Sequence, residues 1–197
     1  MSTPTRREQN AAATRAALVG AARRLFAEHG YADVSTGQIV AAAGVTRGAL
    51  YHHFADKREV MAAVFAEVDG ELVERVRAAS ASAEGPLERL DAGIAGFLDA
   101  IADPELQRIA FVEAPVALGW AQWRRLDAGR SLRLVVEQLQ AAIDAGLIAP
   151  RDPVALAHLL LGAMNEAGMF VASSRDPARA RRAVGEDLTA LLGGLRR

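Results

Sequence analysis

The sequence predicts an all-α fold in which a small N-terminal helix-turn-helix head is joined by its fourth helix to a larger helical bundle. Apolar residues recur with helical period along the chain, capping patterns frame two short helices near the N-terminus, and no segment alternates as a strand does. With 197 residues, of which 51% are hydrophobic and 24% charged, the chain is long enough to bury a sizeable core. We expect eight or nine helices and place the boundary between the head, residues 1–56, and the body, residues 57–197, at the start of the fourth.

The first predicted helix spans residues 15–28, where apolar positions follow an i, i+3, i+4, i+7 stripe that stops at Gly30. Arg6 and Arg7 stand before it in a segment that we expect to be a polar tail. In such a tail the two side chains are either simply solvated or add nonspecific contacts to a polyanion.

Two short helices follow, and each has its own start signal. Ser35 is a predicted N-cap with Gln38 three residues later to complete a capping box, and Gly44 supplies a left-handed end. Thr46 is the predicted N-cap of residues 47–53. Two short helices joined by a tight Ala-Gly-Val-Thr turn form a helix-turn-helix.

The remaining helical segments are separated by prolines and glycines. They are expected at residues 57–79, 87–102, 104–114, 120–146, 153–174 and 177–195. The most apolar tract, 154–172, contains Asn165 and Glu166, which a bilayer would disfavour. We therefore interpret it as a buried helix of a cytoplasmic protein, since the first 17 residues also lack the apolar stretch of a signal peptide.

Composition and motifs exclude several classes of function. Cysteine is absent, which excludes disulfides, thiolate zinc sites and cysteine nucleophiles. The sequence holds no nucleotide-binding glycine loop, nucleophile elbow or zinc-protease motif, so we expect neither an enzyme nor a cofactor, and without paired histidines in the body no metal site. Charge is uneven, with a net +4 over residues 1–58 and a net −5 over the rest. A basic head suits a phosphate-rich partner.

The N-terminal residues resemble the signature of one known family. In chain order these residues are Phe26, Gly30, Tyr31, Ser35, Ile39, Ala43, Gly44, Val45, Thr46, Gly48, Ala49, Leu50, Tyr51, His53, Phe54 and Lys57. In identity and spacing they are similar to the tetracycline-repressor (TetR) family of transcriptional regulators over residues 14–65. The resemblance implies a homodimer with an N-terminal DNA-binding domain and a C-terminal domain that dimerises and usually holds a small molecule.

The expected DNA contacts lie on the two short helices and at the start of the fourth. A helix-turn-helix places the start of its second helix at base edges in the major groove, and the guanidinium of Arg47 suits bidentate pairing with guanine. The resemblance adds the positions at which the family grips the DNA backbone, and the positive end of a helix favours a phosphate near Thr36. The expected set is Thr36, Thr46, Arg47, Gly48, Ala49, Tyr51, His52, His53 and Lys57.

Other interpretations of these residues stay open at this point. The ring of Tyr51 would equally pack in the core of the head, with His52 and His53 solvated. Some family members carry an arginine at the position of Gly37 that reaches a base, which glycine cannot do. We therefore do not expect the first helix of the helix-turn-helix to read sequence.

Aromatic and methionine side chains in the body predict either a pocket or plain core. Two tryptophans three residues apart share a helix face, and an apolar pocket would use a few polar groups such as Asn165 to orient a ligand. The expected lining is Phe97, Phe111, Trp120, Trp123, Met164, Asn165 and Met169. Alternatively these side chains pack in the core and in a dimer interface. Asn165 and Glu166 then face a pocket, a symmetry-related helix or water.

The leading hypothesis is a homodimeric repressor that a largely apolar small-molecule effector releases from a near-palindromic double-stranded DNA operator. The dimer would form through the helices near 153–174 and 177–195 as a four-helix bundle. We expect it in the cytoplasm without membrane contact. The alternative is a DNA-binding regulator with no small-molecule pocket, whose body serves only dimerisation or protein contacts.

Overall fold

The structure, a computed structural model, describes residues 5–196, with every side chain in that range except that of Arg130. These residues contain ten α-helices, where eight or nine were expected. The helices are α1 (Arg6–His29), α2 (Thr36–Ala43), α3 (Arg47–His53), α4 (Lys57–Ser80), α5 (Pro86–Ala100), α6 (Pro104–Arg108), α7 (Ala114–Leu118), α8 (Trp120–Asp144), α9 (Pro153–Ser173) and α10 (Pro177–Gly193), with a π-helical turn (Ile109–Glu113) between α6 and α7. Residues 1–4 of the predicted head, and Arg197, lie outside the described residues.

Helix α1 begins at Arg6 because a capping box precedes it, which the apolar stripe alone does not reveal. The hydroxyl of Thr5 accepts from the N–H of Glu8 at 3.3 Å, and the Glu8 carboxylate accepts from the N–H of Thr5 at 2.7 Å. The hydrogen bonds that the N–H and the hydroxyl of Thr5 donate to this carboxylate lower the pKa of Glu8. The prediction that Arg6 and Arg7 lie in a polar tail is therefore wrong, since both belong to the first turn of the helix.

The second departure is at Pro115, which was expected to end a helix and instead lies inside one. Proline has no N–H to donate to the carbonyl four residues earlier, and its ring crowds that carbonyl. The preceding π-helical turn widens the backbone at this point, with the N–H of Ala114 bonded to the carbonyl of Ile109. Helix α7 continues from this turn as far as Gly119, whose φ of 75° ends it.

Helix α4 connects the head to the body through one continuous core. Its first half buries Val60 and Val64 near α1, and its second half buries Val68 and Leu72 among the helices of the body. This single 24-residue helix is therefore buried along both halves of its length and belongs to the cores of both the head and the body.

Helix α9 is, among the described residues, the one helix long and apolar enough to cross a membrane by length and composition. In the structure it packs against α8 and α10 and buries Ala157, Leu161 and Asn165. It is a core helix of the bundle, as the sequence predicted.

Candidate DNA-binding surface and ligand cavity

The helix-turn-helix is built by the caps that the sequence predicted. The Ser35 hydroxyl accepts from the N–H of Gln38 at 3.2 Å, and the Gln38 side chain accepts from the N–H of Ser35 at 2.8 Å. Gly44 ends α2 in the left-handed region at φ 66°. The Thr46 hydroxyl then caps α3 by accepting from the N–H of Ala49 at 3.2 Å. These caps fix the direction in which α3 leaves the turn.

The first turn of α3 is open to solvent and, apart from Arg47, has only small side chains. Thr46, Arg47 and Gly48 are exposed, Ala49 is half-buried, and Leu50 anchors the opposite face in the core. A Cβ placed on Gly48 would approach only the Thr46 hydroxyl, at 3.9 Å. The N-terminal end of α3 therefore presents little bulk beside one long basic side chain, a shape that admits close approach to base edges.

Tyr51 connects α2 and α3 on the exposed surface. The side chains of Arg47 and Thr36 interact with its hydroxyl, and these interactions, that of Arg47 first, lower the pKa of Tyr51. The Arg47 guanidinium lies 5.8 Å from the centroid of the Tyr51 ring. Tyr51 is 47% exposed, so the alternative in which its ring packs in the core is wrong. The three side chains form one polar cluster facing solvent.

The two histidines at the end of α3 lie next to this cluster along the chain. His52 is exposed and His53 half-buried, with their ring centroids 5.2 Å apart in an edge-on arrangement. His53 also lies 6.4 Å from the Phe54 ring, which is buried in the head. His52 is thus the more accessible of the two.

Lys57, the only lysine of the sequence, is engaged inside the protein. Its Nζ donates to the carbonyls of Tyr31 and Val34, both at 2.8 Å, and more weakly to that of Ala32 at 3.4 Å. The ammonium also lies 4.2 Å from the centroid of the Tyr31 ring. An ammonium has three N–H bonds, and these three carbonyls can accept one hydrogen bond from each. In this structure Lys57 fastens the α1–α2 loop to the start of α4, a structural role that was not expected, and its contact with a phosphate stays a prediction.

A set of hydrogen bonds and one ion pair joins the head to the body, and it was not predicted from the sequence. The Glu113 carboxylate accepts from the N–H of Tyr31 at 2.7 Å and from Nε of Arg108 at 3.0 Å. Arg108 in turn donates to the carbonyls of Ala27 and Glu28, at 2.8 and 3.2 Å, at the end of α1. We call Arg108 and Glu113, with the backbone of residues 27–31 that they hold, the π-turn clamp.

The π-turn clamp was not visible in the sequence for a geometric reason. Arg108 and Glu113 are five residues apart, whereas ion pairs on an α-helix are sought at spacings of three or four. Only the wider π-helical turn brings the two side chains together. The one available signal was Pro115, which marks a local irregularity.

Ion pairs reinforce the same junction. Arg23 on α1 contacts Glu71 on α4 at 2.9 Å and also Glu105 on α6, while Arg75 contacts Glu71 at 2.6 Å. The hydrogen bond from Arg23 is the largest cause that lowers the pKa of Glu71. Arg58 donates to the carbonyl of Leu118 at 2.5 Å, which ties α4 to the end of α7.

The body contains two adjoining cavities of about 60 Å³ each between α4, α5, α8 and α9. They share four apolar lining residues, Val76, Leu134, Val135 and Met164. Of the seven lining residues predicted, the first cavity is lined by four, Phe97, Phe111, Met164 and Asn165. Phe111 belongs to the π-helical turn, so the wall of this cavity and the π-turn clamp share one short segment.

The structure corrects the other three predicted lining residues, Trp120, Trp123 and Met169, because neither cavity includes them. Trp123 is fully buried, and its indole N–H donates to the carbonyl of Ala110 at 3.0 Å. Trp120 is 60% exposed, and Met169 packs half-buried against the core. The two tryptophan rings are in contact, with centroids 5.1 Å apart. They do not line a cavity, and Trp123 instead packs against the π-helical turn, to which it donates its hydrogen bond.

Two carboxylates line the first cavity, one buried and one half-buried, and neither was predicted from the sequence. Asp69 on α4 is 6% exposed, and the Asp127 side chain on α8 is 13% exposed. Asp127 accepts from Nδ2 of Asn165 at 2.6 Å and from Arg124 at 3.0 Å. Burial raises the pKa of Asp127 against the opposing effect of these two partners. Asn165 therefore faces the cavity, whereas Glu166 is exposed on the other side of α9.

An apolar face on α9 and α10 is exposed to solvent. Leu159, Phe170 and Leu191 are 72%, 52% and 63% exposed. Phe170 and Leu191 line one shallow depression between the two helices, together with Val184 and Leu188. Large apolar side chains gathered on one face are typical of an interaction surface.

The fold and the exposed α3 define a helix-turn-helix DNA-binding protein, and comparison with known proteins assigns its family. Residues 18–64 match the family model described as bacterial regulatory proteins, tetR family, and residues 87–195 match tetracyclin repressor-like, C-terminal domain. The chain belongs to the TetR family, whose members are DNA-binding transcriptional repressors and not enzymes.

Individual relatives agree with this assignment. A crystal structure of a TetR-family transcriptional regulator from Pectobacterium atrosepticum is 35% identical with a TM-score of 0.84, and the match covers 98% of each chain. The transposon Tn10 TetC protein of Escherichia coli is 27% identical over 73% of this chain and 71% of its own. The HTH-type transcriptional repressor BepR of Brucella suis is 34% identical over 54% of this chain and 51% of its own, so about half of that relative is matched.

Proposed function

We propose that this protein is a homodimeric, cytoplasmic repressor that a small, largely apolar effector releases from a near-palindromic DNA operator. The observation that carries the proposal is the position of the π-helical turn. Phe111 of this turn lines the cavity, and Glu113 of the same turn holds the backbone of the head at Tyr31. The division into a DNA-binding head, residues 1–56, and an effector-binding and dimerisation body, residues 57–197, belongs to the same proposal.

On the DNA side, α3 enters the major groove with Arg47 directed to base edges. Gly48 and Ala49 permit close approach, and Thr46 lies beside them at the groove. Tyr51, Thr36, His52 and His53 donate to the phosphates on either side. The hydroxyl of Tyr51 supports this arrangement because it holds Arg47 and Thr36 together at the exposed surface.

Two protomers associate through α9 and α10 as a four-helix bundle. The exposed Leu159, Phe170 and Leu191 support this because burying such side chains is favourable by about 25 cal/mol per Å² of apolar surface. A two-fold axis through this bundle sets the two α3 helices about 34–36 Å apart, one turn of DNA. This spacing is what makes the operator near-palindromic.

An effector acts by moving the wall of the cavity. A ligand that displaces Phe111 also displaces Glu113 two residues later, and with it the end of α1 and the start of the α1–α2 loop. Operator affinity falls if the ligand binds this displaced state better than the DNA-binding state. The alternative, a regulator with no effector, is favoured by the small volume of each cavity, which holds roughly four to six water molecules.

The proposal is tested by selecting bound duplexes from a random DNA library with the purified protein. We expect two inverted half-sites one helical turn apart and a complex of two protomers per duplex in sedimentation. Replacing Leu159 and Leu191 by arginine, with Arg77→Ala as an exposed control, should abolish the dimer and the inverted arrangement. Enrichment of single half-sites, or a monomer at micromolar concentration, would contradict it.

A further inference from the structure

We propose that the joined cavities take an elongated amphipathic cation, an apolar chain or set of rings that carries a protonated amine held at Asp127. This rests on the proposed ligand-responsive function and adds the chemical class of the ligand. The apolar walls, the negative charge of the first cavity and the length of the site together point to this ligand class.

The walls exclude a strongly polar ligand. The four residues common to both cavities are aliphatic or methionine, and the first cavity adds Phe97 and Phe111 with their rings 6.0 Å apart. The two cavities adjoin each other between α4, α5, α8 and α9, and the carboxylates line the one that Phe111 of the π-helical turn also lines. The main body of the ligand is therefore apolar and slender.

The charge of the first cavity is negative. Asp127 and Asp69 stand on facing helices, and no described side chain that lines the first cavity is cationic. The second cavity is lined by one cationic residue, Arg89, which is exposed and donates to the carbonyl of Ala83 at 3.1 Å. Asp69 already interacts with another group of the protein, so we assign the ligand amine to Asp127. The guanidinium of Arg124 reaches Asp127 from a position outside the lining and remains 24% exposed.

A protonated amine is the ligand group that such a site stabilises most. Desolvation disfavours the charged form of Asp127 in the free protein, and a cation beside the carboxylate offsets that cost. A carboxylate on the ligand would instead bring a further negative charge into a poorly solvated space. A neutral hydroxyl would donate one hydrogen bond without balancing the charge.

The second cavity indicates how long the ligand is. The Oε1 atom of Gln138, which lines this cavity, is buried without a hydrogen-bond partner among the described residues. A buried acceptor without a partner is costly and is satisfied when a ligand donates to it. Asp127 and Gln138 are eleven residues apart on α8, which is about 16 Å along the helix axis. A ligand that spans both cavities is therefore a chain or a pair of linked rings.

Three probes that share one chain test the inference directly. Binding of n-decylamine, n-decanol and n-decanoate, each below its aggregation concentration, is measured calorimetrically on the full-length protein without DNA. We expect decylamine to bind at least tenfold more tightly than decanol, and decanoate to bind most weakly. Asp127→Asn should reduce the affinity for decylamine at least tenfold and leave decanol within threefold. Asp144→Asn, exposed at the end of the same helix, is the matched control and should change neither.

Each other result overturns the inference. Equal binding of decanol and decylamine, preferred binding of decanoate, or no binding of any probe would show that the cavity does not select a cation. The ranking on the unaltered protein decides the matter even if Asp127→Asn fails to fold. Because no DNA is present, a failure here is separate from a failure of the proposed function, which the duplex selection tests.

Discussion

The carboxylate of Glu113 accepts a hydrogen bond from the backbone N–H of Tyr31 at 2.7 Å, across a sequence separation of 82 residues. Tyr31 directly follows Gly30, which ends α1, and its carbonyl is one of the acceptors of Lys57. The start of the loop that leads into the helix-turn-helix is thus held from the body by Glu113 and from α4 by Lys57. A change in the position of the π-helical turn has a direct route to the DNA-binding surface.

Removing the carboxylate should release this loop. In Glu113→Ala we expect amide hydrogen exchange at Tyr31 to accelerate at least tenfold and unfolding stability to fall by about 1.5–3 kcal/mol, the usual contribution of a hydrogen bond to a charged group. Exchange measured by NMR checks this. Glu137→Ala, an exposed carboxylate on α8, is the control. Unchanged exchange at Tyr31 would mean that the clamp does not hold the loop.

Arg47→Ala should relax base preference. A bidentate arginine–guanine pair contributes about 1–3 kcal/mol of discrimination, so the affinity difference between the selected operator and random duplexes should shrink by that amount. Tyr51→Phe, which removes the hydroxyl bound to Arg47, should give a smaller effect in the same direction. Fluorescence anisotropy on both duplexes measures it. An equal loss on the two duplexes would assign Arg47 to the phosphates.

Lys57→Met separates a structural role from a phosphate contact. Because the ammonium donates to backbone carbonyls, we expect stability to fall by about 1–3 kcal/mol while the dependence of DNA affinity on salt is unchanged. Urea unfolding and a salt titration of DNA binding measure the two quantities, with Arg77→Met as control. A salt slope lower by about one unit at full stability would show that Lys57 binds a phosphate.

Gly168→Ala tests the contact behind the cavity wall. A Cβ at Gly168 would lie 2.7 Å from the Phe111 ring, so the ring must move, and we expect a loss of about 1–3 kcal/mol. Gly162→Ala on the same helix meets nothing within 4 Å and should gain up to about 1 kcal/mol from helix propensity. Urea unfolding compares the pair. Equal effects would mean that Phe111 does not pack closely there.

Glu71→Gln should lower the stability of the protein at neutral pH but not in acid. Because Arg23 lowers the folded-state pKa of Glu71 below 4.5, its stabilisation is present above that value and disappears as pH falls through the lowered folded pKa. For a pair with side chains about a quarter to a third exposed we expect about 0.5–1 kcal/mol at pH 7. Glu74→Gln, 70% exposed on the same helix, should show almost none. A difference that does not diminish at all as the pH is lowered through the acid range would contradict the ion-pair explanation.

The helix-turn-helix was predictable from sequence because its signals are local. The capping box at Ser35, the left-handed Gly44 and the N-cap at Thr46 each act within four residues, and the structure has all three. The Thr5–Glu8 capping box is equally local, but the residues that follow it have no apolar stripe to indicate that a helix begins there.

The ligand cavity was only partly predictable, because lining depends on how helices rotate against one another. Phe97 and Asn165 were chosen by residue type and do line the cavity, whereas Trp123 has the same apolar character and is buried behind it. In the sequence, nothing distinguishes Asp69 and Asp127 from the exposed acids of the same helices. Only tertiary packing, which places α4 opposite α8, turns them inward.

Helix α9 presents different residues on its two sides. Leu161 and Met164 line the cavity, while Leu159 and Phe170 stand on the exposed face proposed for the second protomer. Because the same helix lines the cavity and carries the proposed dimer face, ligand binding and dimerisation would be coupled. Ligand affinity would then depend on protein concentration. In the proposed dimer, dilution that separates the protomers would remove the packing behind that wall. The number of copies in a cell would then help to set the ligand concentration at which the proposed repressor responds.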